Sequence, residues 1–106
     1  MRLALGLLLA GVIQISQFEL DCARPEEARA LIGRARLSEI EWAEDVNREA
    51  MWQAFGGCAG RPDAQACRNR ERERFGRDLD AVRAAIDAKY ERLLRDFESR
   101  CRGSIT

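Results

Sequence analysis

The residues with the most chemistry to offer are Cys22, Cys58, Cys67 and Cys101. A cysteine serves as nucleophile, metal ligand or half of a disulfide, and its surroundings decide which. The chain has no histidine. That removes Cys–His nucleophiles, histidine metal ligands and histidine pH switches. No C-x-x-C pair and no Gly-rich phosphate loop is present. Ser16, Ser38, Ser99 and Ser104 stand in no motif that would activate a hydroxyl. Glu39 falls at the centre of an apolar stripe and Asn47 at its margin. A buried carboxylate can act as an acid or base. More commonly it fixes register or meets an arginine across a seam. We therefore expect no catalytic residue, no metal and no cofactor, and read the chain as not an enzyme.

Arg68, Arg70, Arg72, Arg74 and Arg77 invite a nucleic-acid reading. Glu71 and Glu73 interrupt that run, and helical spacing spreads the arginines around the axis. Lys+Arg number 18 and Asp+Glu number 18, so net charge draws the chain to neither nucleic acid nor an anionic membrane. A solvated helical face is the simpler reading, and no nucleic-acid partner is expected. Glu44–Arg48, Glu73–Arg77, Glu91–Arg95 and Glu98–Arg102, each four apart, read as the same solvated surface.

These groups need elements to hold them, and the composition points to helices. Ala, Arg, Glu and Leu dominate. With 106 residues there is room for one domain. Hydrophobic residues make up 46%, too many for an obligately disordered chain. Pro25-Glu26-Glu27 reads as a helix start, with Asp21 as an earlier opening because Arg24 is a poor cap. Ala28, Leu31, Ile32, Ala35, Ile40, Trp42, Ala43, Val46, Ala50 and Ala54 then recur at helical spacing. Gly56-Gly57 is expected to end the helix through a left-handed cap. Pro62-Asp63 restarts one, and Phe75, Leu79, Val82, Ile86, Tyr90, Leu93 and Phe97 form the sharper stripe. The second helix is expected from near residue 63 to near residue 100. Gly33 and Gly76 inside these helices mark close approach, a kink or a tolerated weakness.

Three pairings of four cysteines are possible. If both helices are continuous, Cys22 and Cys58 stand about 50 Å apart. A disulfide needs Cα atoms within about 7 Å. Cys22–Cys58 with Cys67–Cys101 therefore fails. Cys22–Cys67 with Cys58–Cys101 would join opposite ends of a hairpin. Cys22–Cys101 with Cys58–Cys67 remains, and the nearly equal arms agree with it. Four thiolates around one zinc would require both helices to break. The expected fold is all-α: an antiparallel two-helix hairpin, coiled-coil-like and stapled by two disulfides. It occupies residues 21–106, after an apolar N-terminal signal or anchor helix at residues 1–20.

Met1-Arg2 is a basic tip, and residues 3–13 are apolar or glycine. This is the layout of a secretory signal. The run is shorter than the roughly 20 residues that span a bilayer. Cleavage after Ser16 would place Gln14 where a small residue belongs. An uncleaved anchor and a helix packed on the hairpin are the alternatives. Membrane contact is expected only if residues 1–20 are retained. Periplasmic or secreted localisation suits both this start and the paired cysteines.

Leu37, Met51, Trp52 and Phe55 fall away from the first stripe. One seam cannot bury both faces of a helix, so these four are the candidate contacts with a protein partner or a second copy. The layout resembles the twin-cysteine helical hairpins of small envelope and organelle proteins, although the cysteines within each arm lie much further apart here. Trp52, Cys58, Cys67, Arg77 and Leu79 are faintly similar to secreted lysozyme-inhibitor domains, without the upstream cysteine pair of that family. Ala88-Lys89-Tyr90 and Cys101-Arg102 are weakly similar to the inner-membrane spanins of phage lysis systems. None of these assigns a family. The expected role is a small exported protein-binding or structural subunit of an envelope assembly. The alternatives are an inhibitor of a secreted or periplasmic hydrolase such as lysozyme, and a membrane-anchored accessory or lysis subunit.

Overall fold

Proline at a first helical position lacks only an N–H that the helix would leave unpaired. Pro25 begins α1 (Pro25–Gly56), and Glu26 and Glu27 place acids against the positive end of its dipole. Asp21 does not open the helix early. Its carboxylate accepts the Ala23 N–H at 2.9 Å and its carbonyl accepts the Arg24 N–H at 3.0 Å. That self-bonded aspartate makes a turn, and the turn delivers the chain to α1. The second helix, α2 (Ala64–Ser104), starts one residue after Asp63, whose carbonyl accepts the Cys67 N–H at 2.8 Å. The computed structural model describes Ile15 and residues 20–104. The expected signal or anchor helix at residues 1–20 lies almost wholly outside the described residues. Among the described residues there is no strand, and no helix is long and apolar enough to cross a membrane.

The left-handed cap expected at Gly56-Gly57 does not form. Gly57, Cys58 and Ala59 instead donate back to the carbonyls of Ala54, Phe55 and Gly56, tightening the helix end into successive turns. The positive φ falls on Gly60, at 78°, where a side chain would be strained. Pro62 lies in the turn before Asp63 and not within α2. Gly33 and Gly76 are not sites of close helix approach, because a Cβ at either would meet nothing within 4 Å.

The chain divides into two compact units, Met1–Glu39 with Ile86–Thr106, and Ile40–Ala85. The first pairs the early part of α1 with the late part of α2. Cys22–Cys101 joins them, with Cα atoms 5.2 Å apart. Its core is Leu20, Ala28, Ile32, Ala35, Ile86, Tyr90 and Phe97. Here α1 supplies mainly small side chains and α2 large ones. Burying a residue such as Ile86 or Phe97 contributes about 1.5–3 kcal/mol. Arg29 meets Glu98 at 3.6 Å and Arg36 meets Asp87 at 2.6 Å, which fixes an antiparallel register.

The second unit is a helical hairpin closed by Cys58–Cys67, with Cα atoms 5.6 Å apart. Its buried apolar residues are only Ala43 and the two cysteines. Val46, Ala50, Ala54, Phe75, Leu79 and Val82 are half-buried. Two lone helices cannot enclose a seam, so the disulfide compensates for a thin core. Arg83 meets Glu44 at 2.6 Å, and the Asn47 amide donates to the Phe75 carbonyl at 3.0 Å. Glu44 and Glu98 thus bond across to the other helix, not to Arg48 and Arg102 on their own. These cross-helix pairs remain partly exposed, so each contributes little to stability and serves mainly to mark the register.

Candidate functional site

The carboxyl-terminal third of α1 positions the most exposed aromatic group among the described residues. Trp52 is 60% exposed, and its ring meets Phe55 edge-on, with centroids 5.4 Å apart and planes at 87°. An i,i+3 spacing brings the two rings onto one side of the helix. From α2, the Arg72 guanidinium stands 5.3 Å from the centre of the Phe55 ring. Edge-on aromatic pairs and cations over rings are both attractive geometries. Phe55 is therefore half-buried and reached by α2, not turned away from it. Met51 is half-buried in the same unit. Leu37 belongs to the other unit and is 54% exposed. The structure brings Trp52 and Phe55 into contact, leaves Met51 near them in sequence, and sets Leu37 in the other unit.

Beyond Gly57, the turn is tied by charge as well as by sulfur. Arg61 donates to both Asp63 oxygens, at 2.9 and 3.0 Å, and Arg70 adds a third bond at 3.2 Å. Hydrogen bonds from Arg61 and then Arg70 hold the Asp63 carboxyl below its ordinary value. Arg68 donates to Gln65, Arg72 to Asn69 and Arg74 to Glu71.

A groove of about 420 Å³ on α1, unremarked in the sequence, is lined by Trp42, Val46 and Ala50 with Asp45, Glu49 and Gln53. The stripe assigned Trp42, Val46 and Ala50 to the seam. Trp42 and Ala43 are adjacent, however, and point in different directions from the helix, so a narrow seam takes one more fully than the other. Ala43 takes the buried place and Trp42 is half-buried. That adjacency was the available signal.

Glu39 is 1% exposed. Its two oxygens accept the Lys89 ammonium at 2.8 and 3.0 Å. The expected partner was an arginine, but the chain's single lysine fills the role. A compact ammonium on a flexible stem can centre itself between two oxygens. Beside them the Tyr90 hydroxyl is buried and makes no hydrogen bond. It lies near enough to Glu39 for the carboxylate to act on it. Burial, and then Glu39, push the Tyr90 phenol well above its ordinary value of 10.0. The cluster lies within the first unit, with Glu39 and Tyr90 buried and Lys89 partly exposed, and it works as a register lock. Among the described residues no group of His, Cys, Asp or Glu is arranged to hold a metal ion, and no cysteine is free.

Compared with family models, with curated proteins and with solved structures, the chain matches none.

Proposed function

We propose that this is a small exported helical protein without catalytic activity that binds a protein partner, as a recognition or structural subunit of a cell-envelope assembly. The observation that carries this reading is the Trp52–Phe55 ledge. An indole 60% exposed packs edge-on against a second ring. Rigid, accessible aromatic area is what protein interfaces use as anchors. Two disulfides in a small chain accord with an oxidising, extracellular compartment. Met51 and Leu37 are proposed as further contacts.

The test compares tagged wild type with a Trp52→Ala/Phe55→Ala variant of equal helicity. Both are offered to envelope extract, and the captured proteins are quantified. We expect wild type to retain a defined partner at roughly tenfold or more above the variant, as for loss of two interface anchors. Equal recovery by both proteins contradicts the reading. A hydrolase inhibitor is the second reading, supported by the turn that Cys58–Cys67 and the Arg61–Asp63–Arg70 bonds make rigid. Inhibition of a lysozyme or a secreted protease that disappears in Arg61→Ala would favour it. A membrane-anchored subunit is the third, and an uncleaved N-terminus in the intact mass would favour that.

A further inference from the structure

The two disulfides differ in how they meet solvent. Cys58 is 0% exposed and Cys67 is 6% exposed, so that bond is sealed. Cys22 and Cys101 are half-buried, and both line an open groove of about 380 Å³ beside Phe97. Arg29, Arg102 and Glu98 complete its charged wall, which places two cations against one anion. The attacking species in thiol–disulfide exchange is a thiolate anion, and its rate depends on access to sulfur. Accessibility and a cationic wall coincide at one bond and not at the other.

We propose that Cys22–Cys101 is a thiol-exchange site, opened by an external dithiol while the molecule stays folded, with Cys58–Cys67 left intact. One thiolate of the dithiol attacks a sulfur of the pair. The Cys22–Cys101 bond breaks, a mixed disulfide forms, and the other cysteine leaves as a thiolate. The second thiol of the dithiol then displaces the first cysteine. The chain gains two thiols, and the dithiol is oxidised to its disulfide. Opening the bond unties the segment before α1 from the last turn of α2. Among the described residues, the buried Leu20 and the 2.9 Å bond from Arg100 to the Leu20 carbonyl still hold that segment. The ligand class is thus a dithiol, small or carried by an oxidoreductase. The inference stands on the groove and not on the partner reading.

The experiment treats the full oxidised chain with dithiothreitol without denaturant, quenches with iodoacetamide and maps the peptides over time. We expect an intermediate alkylated at Cys22 and Cys101 with Cys58–Cys67 intact. Its formation should be first order in dithiothreitol and at least about tenfold faster than loss of the second bond, as access governs exchange. It should also be insensitive to urea below the unfolding transition. Simultaneous loss of both bonds, earlier loss of Cys58–Cys67, or a rate that climbs with urea as unfolding does would each overturn the proposal.

Discussion

At Glu39 the energetics are asymmetric. Its carboxylate is buried, whereas the Lys89 side chain keeps 42% of its exposure. Removing the lysine leaves a buried charge unpaired, a loss of about 3–5 kcal/mol in fully enclosed pairs. Because the lysine side chain is partly exposed, solvent screening reduces that figure, and Lys89→Met should destabilise by about 2–3 kcal/mol in urea unfolding. Glu39→Met/Lys89→Met should recover most of that loss, because neither charge remains to be desolvated. Tyr90 gives a pH signature. Its phenol is raised in the folded state, so above the ordinary value of 10.0 the unfolded chain binds fewer protons than the folded one. Stability should therefore be intact below about pH 10 and fall as pH rises past it. The fall, measured as wild type minus Tyr90→Phe, isolates the contribution of the phenol. Below that pH, Tyr90→Phe should be within about 1 kcal/mol of wild type or more stable, since the hydroxyl it removes has no hydrogen bond. That Glu39 would be buried was legible from its place in the stripe. Its partner was not, because a stripe gives a residue's side of the helix and leaves open which long side chain reaches it.

At the scale of the helices, periodicity carried the reading of α2 far. Ile86, Tyr90 and Phe97 are buried as their spacing implies. The same rule overstated α1. Trp42, Val46 and Ala50 match the period, yet line an open groove, because a single facing helix covers a narrower strip than the apolar residues occupy. Helix ends were the least legible. Asp21 closed a turn on itself, and Gly60, not Gly57, took the left-handed conformation. Local hydrogen bonding settles such points, and residue type alone does not. Gly33 and Gly76 are the clearest local weaknesses. Each lies in a helix with open space at its Cβ position. Gly33→Ala and Gly76→Ala should each stabilise by up to about 1 kcal/mol, read as a higher thermal midpoint. Loss of stability in either variant would mean that the helix needs its glycine for close packing.

For the molecule as a whole, the sulfurs carry stability out of proportion to their number. Cys22–Cys101 closes a separation of 79 residues and Cys58–Cys67 one of 9. On loop-closure entropy, Cys22→Ala/Cys101→Ala should lower unfolding free energy by about 4–5 kcal/mol and Cys58→Ala/Cys67→Ala by about 2–3 kcal/mol. The bond that restrains the unfolded chain more is also the one that solvent reaches, so thermodynamic weight and kinetic vulnerability meet at the same pair. The pairing was legible in the sequence because cysteines at matched ends of two continuous helices leave a single geometric solution. The partner was not legible, because an exposed ledge states its own chemistry and only half of a contact. The most direct measurement is a non-reducing peptide map of protein taken from its native cells with free thiols blocked at lysis. The account expects two linkages, Cys22 to Cys101 and Cys58 to Cys67, and no blocked cysteine. A peptide joining Cys22 to Cys58, or four blocked thiols, would contradict it.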